Sequence, residues 1–137
     1  MSIRPTVLIA IIAVPWLTLA GCSTPKSAEL KAVGSATVRV DPENRRTLAK
    51  VRLANDVTLV LPPANPPGYV WLIAAHDSRF LHQRTEIMTA ADPAKGSTVT
   101  FIAVRLGVTR LRFVLVESAE KTETNPTDFR EVELTIQ

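Results

Sequence analysis

Apolar and polar residues alternate with a period of two in several short stretches of this chain. Ala36, Val38 and Val40 alternate with Thr37 and Arg39. Val57, Leu59 and Leu61 form a second set, and Val99, Phe101 and Ala103 a third, with Ile102 and Val104 apolar on the opposite face. Leu111, Phe113 and Leu115 alternate with Arg110, Arg112 and Val114, and Val132, Leu134 and Ile136 alternate with Glu131, Glu133 and Thr135. Successive side chains of a strand point to opposite faces, so this period predicts strands with one buried face. The β-branched and aromatic residues that suit a pleated surface are frequent in these stretches. Tyr69–Ala74 is an unbroken apolar run around Trp71 and predicts a buried central strand. Residues 47–54 predict a less regular strand, and residues 76–92 are compatible with a short helix or a strand. No later segment repeats with a helical period over several turns. About seven or eight short strands at this spacing predict an all-β, immunoglobulin-like β-sandwich.

The N-terminus carries a different pattern. Arg4 precedes Val7–Ala20, a run without charge, and Leu19-Ala20-Gly21-Cys22 closes it. A basic start, an apolar stretch of roughly 7–15 residues and a small-residue cleavage site form a secretory signal. The run is shorter than the ~20 residues of a membrane-spanning helix, and Pro15 interrupts it. The tetrapeptide resembles the bacterial lipobox, which implies that Cys22 is acylated and becomes the mature N-terminus. Cys22 is also the one cysteine of the chain, so no internal disulfide can form. The expected organisation is a signal peptide over 1–21, the lipidated cysteine and a polar tether over 22–34, and a sandwich domain over 35–137. A lipid-anchored location in the cell envelope follows. Ser23 after the cysteine favours the outer membrane where the host has one. Losing residues 1–21 removes only Arg4 among 16 Lys and Arg, against 13 Asp and Glu. So small an excess of positive charge, on an exported chain, gives no case for a nucleic-acid partner. A monomer is expected.

Catalytic chemistry finds little support. A serine triad needs a histidine beside the nucleophile; only His76 and His82 are present, and no Gly-x-Ser-x-Gly occurs. Their spacing matches no metal motif, and both read as surface or loop residues. No glycine-rich phosphate cradle exists. The chain is therefore not expected to be an enzyme or to hold a metal or cofactor.

The segment 61–71, Leu-Pro-Pro-Ala-Asn-Pro-Pro-Gly-Tyr-Val-Trp, is distinctive. Prolines fix φ and pre-order a loop, which lowers the entropy lost on binding. Gly68 can adopt positive φ for a sharp exit. On local chemistry two readings stand together: a preformed binding loop, or a structural turn whose Tyr69 and Trp71 fill the core.

This stretch resembles the chagasin-type inhibitors of papain-like cysteine peptidases. Those are immunoglobulin-like sandwiches with an Asn-Pro-Thr-Thr-Gly-Tyr/Phe loop after a strand ending Leu-Pro, and with Trp two residues past the aromatic. Here Leu61-Pro62 is followed by Asn65-Pro66-Pro67-Gly68-Tyr69-Val70-Trp71. The similarity continues through 96–109 and the last strand, 129–136. The resemblance implies a reversible, non-covalent peptidase inhibitor that occludes the active-site cleft with loops at one end of the sandwich. By position, the peptidase-binding residues would be Asn65, Pro66, Pro67, Gly68 and Tyr69 in the first loop. Lys95 and Gly96 would serve in the second, and Ser118, Ala119 and Glu120 in the third. The chain departs from the family pattern at three places. The Thr-Thr pair is missing, Pro93-Ala94-Lys95-Gly96 keeps only the last glycine of a Gly-x-Gly-Gly loop, and Ser118-Ala119-Glu120 replaces Arg-Pro-Trp. Trp and Arg are the commonest interface anchors, so these departures also admit a non-inhibitory module that binds another envelope protein.

Overall fold

The computed structural model describes residues 30–119 and 125–137. The chain forms β1 (Gly34–Arg39), β2 (Arg46–Val51), β3 (Asn55–Leu61), β4 (Tyr69–Ala75), β5 (Leu81–Gln83), β6 (Met88–Thr89), β7 (Ser97–Ala103), β8 (Gly107–Glu117) and β9 (Asp128–Ile136). One sheet has the order β1-β3-β7-β5, with β6 also paired to β7; the other has the order β2-β9-β8-β4. Two strands, β5 and β6, are only three and two residues long. They fill the stretch 76–92 that the sequence left open, and a single 3-10 turn, Pro93–Lys95, follows. β1 begins at Gly34, and Val33 N–H bonds the Ala54 carbonyl at 2.9 Å. The expected signal peptide, Cys22 and most of the tether lie outside the described residues.

The alternating pattern becomes the inner faces of the two sheets. Val57, Leu59 and Leu61 of β3 meet Val99 and Phe101 of β7 in register, and Leu111, Phe113 and Leu115 of β8 lie opposite Val132 and Leu134 of β9 or beside them. All of these side chains are buried. Each such side chain contributes roughly 1.5–3 kcal/mol when removed from water. Outside, β9 turns its charges to solvent: Glu133 accepts from Arg46 at 2.6 Å and Arg110 at 2.9 Å. Phe129 lies between the guanidiniums of Arg45 and Arg112, 4.7 and 4.6 Å from its ring centre.

One expectation is corrected. The apolar run at Tyr69 forms β4 at the edge of its sheet, not a central strand. Trp71 alone is buried; its neighbours are half-buried or exposed. The run is apolar on both sides because the outward Val70 and Leu72 pair in register with Val116 and Val114 of β8. That pairing makes a second apolar strip outside the core, in which Val114 and Val116 are 3% and 1% exposed.

Strand direction sorts the connections between two poles. Segments 40–45, 62–68 and 90–96, with residues 118–119 and 125–127, lie at one pole. Segments 52–54, 76–80 and 104–106 lie at the other, with the entry to β1 and the residue Gln137.

Candidate functional site

The loop 62–68 is fastened at its base and open at its tip. Trp71 donates its indole N–H to the Pro62 carbonyl at 2.8 Å, and Ala64 packs on the core. Asn65, Pro66, Pro67 and Gly68 are exposed, and the Asn65–Pro66 peptide is cis. Gly68 has φ +92° and nothing within 4 Å of where a Cβ would sit, so backbone conformation alone selects glycine there. Tyr69 is half-buried against the core and Trp71 is buried. Of the two readings of this stretch, Trp71 belongs to the structural one, while the tip from Asn65 to Gly68 is free surface.

The second loop closes on the first. Asp92 Oδ1 accepts from Ala94 N–H at 3.0 Å and caps the Pro93–Lys95 turn. Gly96 follows at φ +80°, and a Cβ there would stand 2.0 Å from the Leu61 carbonyl oxygen. Glycine is therefore demanded twice, by torsion and by space. A shallow hollow of about 210 Å³ separates the loops, walled by Ala64, Pro67, Gly68 and Tyr69 on one side and by Pro93 and Gly96 on the other. Lys95 is exposed beside it.

Among the described residues, one hydrogen bond joins the third loop to the first: Ser118 N–H donates to the Gly68 carbonyl at 2.7 Å. Ser118 is half-buried and Ala119 exposed. Glu120 lies outside the described residues. The chain resumes with Thr127 N–H bonded to the Leu115 carbonyl at 2.8 Å. Nine of the ten residues named from sequence for the three loops are thus described, and they stand at one pole.

Sequence reasoning missed a fourth connection, 40–45, at the same pole. The Asp41 carboxylate accepts from Asn44 Nδ2 at 2.7 Å and from the N–H groups of Glu43 and Asn44 at 2.8 and 3.0 Å. These bonds, that of the Asn44 side chain first, hold its pKa below the usual carboxylate range. Arg130 points inward from β9 and carries this loop: its guanidinium donates to the Pro42 carbonyl at 2.9 Å and to Asp128 at 2.7 Å, and lies 5.9 Å from the Trp71 ring centre. The signal was present as an Asp-Pro-x-Asn turn after Val40.

His76 and His82 lie away from this pole. His82 is exposed on β5, and His76 is half-buried with its ring 5.4 Å from Phe101. Among the described residues, no group of three His, Cys, Asp or Glu side chains is placed to hold a metal.

Two packed sheets with loops gathered at one pole define an immunoglobulin-like scaffold that presents a loop surface. No family model matches the chain, and no curated protein matches it. Solved structures do. The chain is similar to the cysteine protease inhibitor EhICP2 of Entamoeba histolytica, with a TM-score of 0.58 at 12% identity, over 76% of this chain and 96% of that one. It is also similar to PbICP-C, solved in complex with falcipain-2, with a TM-score of 0.55 at 8% identity, over 74% and 98% of the two chains. At these identities the likeness is one of fold: this chain folds as those protease inhibitors do.

Proposed function

We propose that this protein is a reversible inhibitor of papain-like cysteine peptidases and that the Asn65–Gly68 tip enters the active-site cleft. The observation that carries this reading is the convergence of three sequence-named loops at one pole of a sandwich with the fold of known cysteine protease inhibitors. On this reading residues 93–97 and 117–119 would flank the tip. Inhibition is by occlusion: a tip fastened by Trp71 and Ala64 is ordered before binding, so little entropy is lost on contact. No nucleophile on the inhibitor is required. Full-length chain purified in detergent and titrated against papain and a cathepsin L-like peptidase tests this. Competitive, reversible inhibition at micromolar concentration or below is expected. Replacing Asn65–Gly68 by a Gly-Ser linker should abolish it while the circular dichroism spectrum is unchanged. Inhibition that survives the replacement removes these residues from the site.

One observation favours a second reading. The third loop opens with Ser118-Ala119, which offers no large anchor. The same pole would then serve as a non-inhibitory docking surface for another envelope protein, and absence of inhibition with both peptidases selects this alternative.

Cell-envelope anchoring through acylated Cys22 is part of the proposal. In support, the chain enters β1 at the pole opposite the loops, where Val33 bonds Ala54. A lipid attached upstream would leave the loops facing away from the membrane. Metabolic labelling with palmitate should mark the wild type and not Cys22→Ser.

A further inference from the structure

A groove of about 610 Å³ runs along the outer side of the five-stranded sheet at the loop pole. Its walls come from three connections: Pro42 of 40–45, Pro62 and Pro63 of 62–68, and Lys95 of the 3-10 turn, with Arg39 and Val60 contributed by the paired ends of β1 and β3. Two properties characterise it. Its apolar lining is stiff, because three of those residues are prolines and the 40–45 loop is tied by Asp41 and Arg130. Its only charged lining residues are Arg39 and Lys95, both exposed, and neither forms an ion pair or side-chain hydrogen bond among the described residues. Of the carboxylates on these connections, Asp41 is turned into its own loop, Asp92 caps the 3-10 turn, and Glu43 forms no ion pair among the described residues. Elsewhere on the strands Arg84 pairs with Asp56, and Arg46 and Arg110 pair with Glu133. Lys50 of β2 forms no ion pair among the described residues, but it stands on the other sheet, away from this groove.

We propose that this groove docks an acidic segment of the partner protein, with carboxylates reaching Arg39 and Lys95 and an apolar side chain lying on Val60 and the prolines. Charge complementarity selects the occupant: two unpaired cations flanking an apolar floor favour an extended chain that alternates acidic and apolar residues, and they repel a basic one. The groove shares Pro62, Pro63 and Lys95 with the first two loops, so a partner seated on the tip passes over it. The contact surface thereby extends to the fourth connection, 40–45. For the identity of the partner the proposal rests on the inhibitor reading; the chemistry of the groove stands apart from it.

The test uses full-length chain in detergent and a fluorescein-labelled peptide of alternating Glu, Val and Pro, with its Gln-for-Glu counterpart as control. Fluorescence anisotropy should show saturable binding of the acidic peptide only, weakening as salt is raised. Arg39→Glu and Lys95→Glu should each raise Kd about tenfold or more. The Asn65–Gly68 linker variant should bind the peptide as the wild type does. Equal binding of the Gln peptide, indifference to both charge reversals, or no saturable binding overturns the proposal. The two readings fail separately. Peptide binding without inhibition of either peptidase removes the inhibitor reading and keeps the groove. Inhibition without peptide binding does the reverse. Both substituted positions are exposed, and thermal unfolding unchanged from wild type shows that the fold is intact.

Discussion

The two poles of the sandwich solve the same problem, closing strands that end, in opposite ways. At the far pole the connections are short and stitched mainly by backbone, with one side-chain tie in 76–80, where the Asp77 carboxylate accepts from the Arg79 N–H at 3.0 Å and from its guanidinium at 2.7 Å. The turn 52–54 bonds three separate pieces of chain: Ala54 N–H to Ala103, Leu53 N–H to Gln137, and the Ala54 carbonyl to Val33. At the loop pole the connections are longer and are fastened by side chains bonded to backbone: Trp71 and Arg130 donate to the Pro62 and Pro42 carbonyls, and Asp41 accepts from the amides of its own loop. A backbone stitch fixes a turn and leaves no freedom at its tip. A side-chain fastening fixes the base and lets the tip carry any sequence. On the proposed function, that difference suits one pole to binding and the other to joining the rest of the chain.

If the loop pole depends on a few fastenings, breaking one should cost more than its size suggests. The largest effect is expected at Gly96. An alanine Cβ would meet the Leu61 carbonyl at 2.0 Å, and φ +80° is unfavourable for any side chain. Backbone must move, and the end of β7 must leave β3. Gly96→Ala should destabilise by about 3 kcal/mol or more, read as a fall in Tm of more than about 10 °C. An unchanged Tm would mean that the two loops are not locked together there.

Arg130 comes next. It is 8% exposed, and its removal leaves the Pro42 carbonyl without its donor and frees Asp128. Arg130→Met keeps most of the volume and should cost about 2 kcal/mol. The Nε of Arg130 has no partner among the described residues, so part of its desolvation cost is recovered on substitution. Trp71→Phe keeps an aromatic ring but loses the bond to Pro62, at about 1.5 kcal/mol. Both should weaken inhibition beyond what the stability change explains, because each loosens a loop base. Peptidase titration well below Tm separates the two effects.

Much of this was legible in the chain. The period-two sets became inner faces with their register intact, because a one-residue slip would turn Phe101, Phe113 and Leu134 to solvent. The loop around Gly68 was legible because proline and glycine state their backbone preference locally. The edge position of β4 was not. An apolar run reads as buried on both faces, and only the register with Val114 and Val116 reveals that its outer face is covered by a neighbouring strand. The fourth connection was missed for a similar reason. What holds 40–45 is Arg130, 88 residues away from Pro42, and no local pattern announces a contact that distant. Arg39 and Lys95 likewise become a pair only through folding.

The smallest effects make the sharpest comparison, since each pole holds a positive-φ residue that can be substituted without a clash. Gly68 at the loop pole has φ +92° with open space around it. Gly68→Ala should therefore cost only the torsional strain, about 1–2 kcal/mol, with no clash. At the far pole the residue is Ala54, at φ +62°. Ala54→Gly relieves that strain but adds about 0.5–1 kcal/mol of backbone entropy to be lost on folding, leaving a net gain near 0.5 kcal/mol. The stabilities should move in opposite directions, while inhibition should fall for Gly68→Ala and stay level for Ala54→Gly. Denaturant midpoints and peptidase titration read both. Equal losses of inhibition would show that the poles are coupled through the sheets, against the separation that their different fastenings imply.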